Sequence, residues 1–542
     1  MCLDSSMRHR LLAPLLVLGL LTAACTSEEP APEAAAPAPT AADDGGDTDP
    51  TDPDEAGTED TETEDADETV DGSDETGTDA GEVGDGTFVP GDCPFEVEID
   101  IVVDCGVVLV PESRTGLSDA TIELAVAILR TPAPDPAPDP VVYLSGGPGG
   151  AALAEYAAWH PEPGWWTISP ILSSRDLILV DQRGTGYSLP SLDCLEDESE
   201  EDCYQRLVDE GVTPAAYSTP ENAADIAAIR VALGLEEWNI HGSSYGTRLG
   251  LVTLANHPEG VRSLVLAGVY PPNKVPAYHD FMGNSFRVID ELRAACAEDE
   301  ACDGTYGDVG QLLVDALRVT QEGPSPSTAQ DLWDRVFSSL YAMPGVAAVP
   351  LALQLAADGA IDDALALLDD PEAGFSADRA RGRSVDPSDD SDGLFNSVEC
   401  REEQGFTDLE VLEAQAEEYL QAGVDELLVS VLLSGAQAGS EATCQLWDSG
   451  RATADERAPV VSDVPTLLLS GGFDPITPPS WGDLAAETLS SSTHVVIPNL
   501  SHGLVDVNQC VDDIVIAFLA DPGSELETAC VDEIPPPAFL LP

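Results

Sequence analysis

The sequence predicts an α/β fold with a mostly parallel sheet and a block of helices inserted late in the chain. Two observations predict it. Short apolar runs bounded by Gly, Pro or Asp alternate with helical patterns up to residue 266 and resume after Pro465, the order expected when helical crossovers connect parallel strands. Between about Tyr278 and Arg457 the strand pattern is missing and long helical stretches take its place.

Taken in order, the strands are read at Val107–Val110, Thr121–Leu129, Val141–Leu144, Asp176–Val180, Trp238–Ile240, Ser263–Leu266, Thr466–Leu469 and His494–Ile497. A helix is expected over Pro220–Leu233, with Thr219 as its N-cap and Gly234 as its stop. Another starts after Ser244 and runs to Asn256, ahead of the helix breaker Pro258. The helical block contains stretches at Phe286–Ala297, Asp331–Tyr341, Val349–Leu368 and Leu409–Leu433. Because strands resume after it, the block reads as a cap inserted between strands 6 and 7. The expected division is 1–25, a targeting segment; 26–86, a tether; 87–275, the first part of the core; 276–460, the helical cap; and 461–542, the rest of the core.

A chain of 542 residues exceeds the roughly 250 to 300 residues at which single cores stop growing, which fits a core plus an insertion. Acidic residues outnumber basic ones 101 to 21, for a formal charge of −80. Such a surface repels nucleic-acid phosphates and excludes that class of partner. Residues 26–86 hold 23 of the acids and no base, so residues 87–542 keep 77 acids against 19 bases. Only one base, Lys274, is a lysine. An acid-rich, lysine-poor surface is one whose self-repulsion salt relieves; a salt-adapted source, with activity retained in molar salt, is one reading of it, and a codon bias that exchanges Lys for Arg is the other.

The N-terminus reads as an export signal. Arg8 and Arg10 precede the apolar run Leu11–Leu21, and Ala23 and Ala24 lead into Cys25. A cysteine in that place resembles the lipid-bearing first residue of a mature bacterial lipoprotein, although Thr22 stands where that signal usually has Leu. Residues 26–86 are low-complexity Ala/Pro followed by Asp/Glu/Thr/Gly, with too few apolar side chains to offset the entropy of ordering. The implied location is extracellular or at the cell envelope, with membrane contact only through the N-terminal lipid.

Without Cys2 and Cys25, ten of the twelve cysteines remain. No CxxC or HxxxH spacing suggests zinc, so disulfides are the better reading and no metal is expected. Neighbours in sequence suggest Cys93 with Cys105, Cys194 with Cys203, Cys296 with Cys302 and Cys510 with Cys530, which leaves Cys400 and Cys444; spacing alone does not fix the connectivity.

The chemistry sits on turns that follow strands. Gly242-Ser243-Ser244-Tyr245-Gly246 joins a strand to a helix, the setting of a nucleophile elbow centred on Ser244. A serine needs a base and a group to orient that base. Asp474 lies just after the strand Thr466–Leu469, and His502 lies in a loop after the last strand. Ser145-Gly146-Gly147-Pro148-Gly149-Gly150 follows the strand Val141–Leu144, and the N–H groups of Gly147 and Tyr245 are the candidate oxyanion donors. Serine, aspartate and histidine come in the chain order of α/β-hydrolases.

Gly-Gly-Pro-Gly at 146–149, Asp181-Gln182-Arg183-Gly184-Thr185-Gly186, Gly-x-Ser-Tyr-Gly at 242–246 and the late Asp and His together resemble the proline iminopeptidase family of α/β-hydrolases. Within it, the chain looks most like the secreted tripeptidyl aminopeptidases of actinobacteria. Ser145 is a departure, since many iminopeptidases have His there. The resemblance implies a peptide substrate, an acyl-enzyme, no cofactor, and a carboxylate in the cap that holds the substrate α-ammonium. In Asn396-Ser397-Val398-Glu399-Cys400-Arg401-Glu402-Glu403 that role falls first to Glu402, with Glu399 and Glu403 as alternatives. Asp181 and Arg183 are read as supports of a loop near the site. A carboxylesterase and a non-catalytic surface-binding lipoprotein are the competing functions.

Overall fold

The computed structural model describes residues 86–95, 102–159, 171–195, 198–323, 325–371, 391–437 and 441–542. The expected targeting segment 1–25, with Cys25, and residues 26–85 of the expected tether lie outside the described residues.

Nine strands form one sheet: β1 Thr87–Gly91, β2 Val103–Pro111, β3 Thr121–Leu129, β4 Val141–Leu144, β5 Leu177–Val180, β6 Trp238–Ser243, β7 Val261–Ala267, β8 Thr466–Gly471 and β9 Ser492–Ile497. Their order is β1-β2-β3-β5-β4-β6-β7-β8-β9. From β5 to β9 neighbours run parallel, while β1, β2 and β3 extend the sheet antiparallel. All of β8 is buried. Alternation along it sends Leu468 to the apolar layer on one face and Leu467 and Leu469 to the layer on the other. A strand buried on both sides reads as a continuous apolar run, so the central strands are easy to find in the sequence. β1 is different: four of its five residues are exposed, no apolar run marks it, and the sequence reading missed it.

The helices α1 Ala152–Trp159, α2 Glu200–Asp209, α3 Thr219–Ala232 and α4 Tyr245–Asn256 belong to the core, as do α15 Pro479–Ala486 and α16 Gln509–Ala520. Ten more lie between β7 and β8 among the described residues: α5 Phe281–Glu298, α6 Glu300–Tyr306, α7 Val309–Glu322, α8 Ala329–Ser339, α9 Met343–Ala357, α10 Ile361–Asp369, α11 Asp392–Glu402, α12 Leu409–Gln421, α13 Glu426–Gln437 and α14 Glu441–Leu446. Eight of them are built around an apolar cluster of their own that includes Trp333, Leu317 and Leu353, whereas α11 and α14 pack into the core's cluster through Leu394, Val398, Cys400 and Cys444. Two helices expected to be continuous are each split in two. Gly359 and Gly423 adopt φ of +86° and +87°, left-handed geometry that stops a helix. Thr219 is not the N-cap of α3; Ser218 holds that place, without a side-chain capping bond.

Five disulfides join Cys93–Cys105, Cys194–Cys203, Cys296–Cys302, Cys400–Cys444 and Cys510–Cys530, the pairs that closeness in sequence suggests. The first ties the chain just after β1 to β2, and the fourth ties α11 to α14. None of the described helices is long and apolar enough to cross a membrane.

Candidate active site

Ser244 sits between β6 and α4 with φ 54° and ψ −123°, backbone geometry that a non-glycine residue holds only when its surroundings enforce it. Both flanking glycines are required by close approach. A Cβ on Gly242 would come within 2.4 Å of Gly246 O, and one on Gly246 within 2.0 Å of Leu144 O. The elbow is anchored by Ser244 N, which donates to Ala267 O at 2.9 Å.

The end of β7 is also where the histidine arrives. A Cβ on Gly268, the residue after Ala267, would meet the His502 ring at 3.0 Å and Thr477 Oγ1 at 3.1 Å. His502 Nδ1 stands 2.7 Å from Asp474 Oδ2. That same oxygen accepts from Thr477 Oγ1 at 2.7 Å, and Oδ1 accepts from the N–H groups of Ile476 and Thr477 at 2.9 Å each. Asp474 is fully buried, which alone would raise its pKa. The charge of His502 and the hydrogen bonds from His502 and Thr477 outweigh burial and hold it below the usual carboxylate value. The structure therefore brings Asp474 and His502 together beside the glycine that follows the elbow's anchor.

The Ser145–Gly150 loop closes over the same point. A Cβ on Gly146 would lie 2.9 Å from Ser244 Cβ, which places the backbone of the loop against the serine. Gly147 has φ +102°, and Tyr245 is the first residue of α4. Its N–H is one of the four that a helix leaves unpaired at its start. Ser145, where many iminopeptidases have His, donates to Glu155 Oε1 at 2.7 Å and so fastens the loop to α1.

A second Ser, His and Asp stand at similar spacing and show what the arrangement requires. His494 Nε2 lies 3.0 Å from Ser470 Oγ and its Nδ1 lies 2.9 Å from Asp483 Oδ1. Ser470 is wholly enclosed within β8, so no substrate carbonyl reaches it; this trio ties α15 to the sheet.

The three candidate amine-binding glutamates are placed differently from one another. Glu402 is already engaged: Oε1 accepts from Thr219 N at 2.8 Å, and Oε2 accepts from Thr219 Oγ1 at 2.7 Å and lies 3.4 Å from Arg248 Nε. It does the work of the missing cap of α3, where a negative charge is favoured by the helix dipole. Glu403 is engaged too, by Arg248 Nη1 at 2.6 Å, the Tyr270 hydroxyl and Ala277 N at 2.8 Å. Among the described residues Glu399 accepts only from Tyr278 Oη, at 2.9 Å on Oε2. Burial first, and then the neighbouring Glu403 carboxylate, push the Glu399 carboxyl up to about 8. Glu402, the residue preferred from the sequence, is thus already occupied, by Arg248 and by Thr219, which lies 183 residues away in the chain.

Asp181 and Arg183 support loops as expected, though they do not pair with each other. Asp181 accepts from Leu153 N and Tyr187 N, and Arg183 is tied to Asp225, Glu112 O and Ala216 O. No three metal-ligating side chains converge among the described residues.

A parallel sheet, an elbow after β6 and an Asp–His pair after β8 and β9 define an α/β-hydrolase. Residues 139–308 match the alpha/beta hydrolase fold family, and residues 430–530 match the family described as TAP-like protein. The chain is an α/β-hydrolase with a TAP-like C-terminal segment. A proline iminopeptidase from Xylella fastidiosa is 32% identical over 131 residues, covering 24% of this chain and 32% of that protein. A tripeptidyl aminopeptidase from Streptomyces coelicolor is 25% identical over 270 residues, covering 45% of this chain and 46% of that protein. The chain thus spans less than half the length of these curated relatives. A crystal structure of a proline iminopeptidase from Mycobacterium smegmatis aligns at 17% identity over 77% of this chain and 98% of that one, with a TM-score of 0.35.

Proposed function

We propose that this protein is an exported serine peptidase that removes short pieces, tripeptides before single residues, from the free N-termini of peptides. The observation that carries the reading is the Asp474–His502 pair, 2.7 Å apart, beside the glycine that follows the anchor of Ser244. Ser244 attacks the scissile carbonyl, and His502 takes its proton and returns it to the leaving amine. Asp474 fixes the imidazole tautomer and stabilises the imidazolium. The N–H groups of Gly147 and Tyr245 receive the oxyanion. Water then releases the acyl group from Ser244 by the same route.

The inserted helices act as the cap, and Glu399 binds the substrate α-ammonium. Among the described residues it alone of the three glutamates has a carboxylate oxygen without a hydrogen-bond partner, and no arginine forms an ion pair with it. The spacing along α11 supports a preference for tripeptides. Ser391 N donates to Gly149 O at 2.9 Å, at the oxyanion loop, and Glu399 lies eight residues further on, roughly 12 Å along the helix. An extended peptide covers that distance with about three residues at ~3.3–3.6 Å each. Export and the lipid on Cys25 belong to the same proposal, supported by the disulfides and the layout of residues 1–25.

The test is fluorophore release from matched free and N-acetylated mono-, di- and tripeptide amides, with a simple ester as control. Cleavage restricted to free amines, with a maximum at three residues, supports the proposal. Indifference to acetylation with fast ester turnover makes the protein a carboxylesterase, and failure of a fluorophosphonate to label Ser244 makes it a binding protein.

A further inference from the structure

Asp474 and His502 sit on loops of the core, yet their outer side is held by the inserted helices. Arg287, on α5, donates Nη1 to Gly472 O at 2.6 Å and Nη2 to Asp474 O. Between those two carbonyls, Phe473 is 3% exposed and packs into the apolar cluster of the inserted helices. Ser501 Oγ lies against Leu340 O and is 3.1 Å from Phe473 O. His502 N donates to Tyr341 O at 3.2 Å, and the Tyr341 ring stands edge-on to the imidazole, with centroids 5.0 Å apart and planes at 68°.

The chemistry of Arg287 exceeds what a staple needs. Among the described residues no carboxylate lies within ion-pair distance of its guanidinium, and its Nε is buried without a partner. A partly buried cation held by carbonyl oxygens alone is costly, and a neutral donor would serve to hold two carbonyls. The acids that feel its charge are Asp474 and Glu291. A fixed positive charge there favours the Asp474 anion, the form that orients the base.

We propose that Arg287 and Tyr341 are positioning residues of the general base, through which the inserted helices set the Asp474–His502 pair against Ser244. The inference rests on the assignment of Ser244, Asp474 and His502 as nucleophile, orienting acid and base. In this arrangement the insertion belongs to the catalytic machinery as well as covering it. A displacement of α5 or of the α8–α9 turn moves the base away from the serine.

The experiment uses the full chain, with Arg287→Met, Arg287→Lys, Tyr341→Phe and Tyr341→Leu. Thermal melts identify the variants that fold, and kcat, KM, the pH profile of kcat/KM and the rate of fluorophosphonate labelling are then measured. Arg287→Met is expected to lower kcat and labelling about 10- to 100-fold, as misplaced catalytic groups do, with KM unchanged. Arg287→Lys recovers part of kcat. Tyr341→Phe keeps the ring contact and retains more of kcat than Tyr341→Leu, which loses at least tenfold. Folded Arg287→Met and Tyr341→Leu with unchanged kcat and unchanged labelling overturn the proposal; if the Arg287 variants do not fold, the Tyr341 pair decides it alone. Wild-type protein that hydrolyses no more than Ser244→Ala refutes instead the triad on which the proposal rests.

Discussion

Thr219 holds both oxygens of Glu402, its N–H on Oε1 at 2.8 Å and its hydroxyl on Oε2 at 2.7 Å. Glu399, one turn earlier on α11, is joined among the described residues only to the Tyr278 hydroxyl. Two glutamates on one helix therefore predict opposite phenotypes. Glu402→Ala leaves the start of α3 without its buried partner and Arg248 with Glu403 alone, and leaving buried donors unsatisfied costs about 1–3 kcal/mol each. That variant is expected to lose thermal stability substantially, while any protein that folds keeps its KM for free-amine peptides. Glu399→Gln keeps the shape and is expected to melt close to wild type. It loses a charge-assisted bond to the ammonium, worth about 1.5–3 kcal/mol, which raises KM for free-amine peptides by roughly 10- to 100-fold and leaves a simple ester unaffected. The same KM increase in a folded Glu402→Gln variant would return the role to Glu402.

The pH dependence of free-amine peptides follows from the same carboxyl. Burial, followed by repulsion from Glu403, raises Glu399 to about 8, so at neutral pH it is largely protonated in the free enzyme. Ionisation as pH rises toward 8 strengthens its hold on an ammonium, while the substrate amine loses its proton near ~8. For free-amine peptides kcat/KM is expected to climb through neutral pH and fall above about 8. N-acetylated peptides and esters lack that maximum, and Glu399→Gln abolishes it. For stability the sign is opposite. A carboxyl raised from 4.5 favours the folded state at low pH, and that contribution is lost as pH rises through about 8. Thermal melts between pH 6 and 9 are expected to show a decline that Glu399→Gln reduces.

Cys400 lies next to Glu399 on α11 and is bonded to Cys444 of α14. The bond closes a loop with a sequence separation of 44, inside the predicted range in which a disulfide adds about 2–4 kcal/mol. Replacing both cysteines with serine is expected to loosen α11 and with it Glu399, the carboxylate proposed to hold the amine. Selectivity for free over acetylated peptides should fall before ester hydrolysis does, because Ser244, Asp474 and His502 lie on loops of the core. Equal losses on both substrates would show that the bond supports the whole fold instead of this helix.

The parts of this arrangement that are legible in the sequence are local ones. Ser244 is marked by the glycines that the turn requires, and Asp474 and His502 by the buried apolar strands that precede them. The central strands are visible because burial on both faces leaves them uniformly apolar. β1 carries no such mark, since it pairs on the outer edge with most of its side chains in solvent. The breaks at Gly359 and Gly423 are missed because the apolar period continues on both sides of the turn. The choice among Glu399, Glu402 and Glu403 turns on Thr219, Arg248, Tyr270 and Tyr278, all distant in the chain. No spacing rule reaches across such separations. Arg287 and Tyr341 escape notice for the same reason: nothing local distinguishes them from other residues of an amphipathic helix and its turn.

Thr477 contributes to the pair from below. Its hydroxyl donates to Asp474 Oδ2 at 2.7 Å and lies 3.1 Å from His502 Nδ1, and its N–H donates to Oδ1. Asp474→Asn puts an amide donor opposite Nδ1 and favours the wrong imidazole tautomer, with an expected fall in kcat of about 10⁴ and little change in KM. Thr477→Val removes only the hydroxyl and leaves the buried carboxylate one donor short, which costs about 1–3 kcal/mol. Its kcat is expected to fall by far less than that of Asp474→Asn. The folded-state pKa of Asp474 is depressed, so its contribution to stability is present above the unfolded value near 3.8 and is lost as pH falls through the folded one. Acid unfolding followed by circular dichroism should therefore begin at higher pH in Thr477→Val than in wild type. An unchanged acid midpoint would mean that the backbone N–H groups and His502 suffice to hold the Asp474 charge.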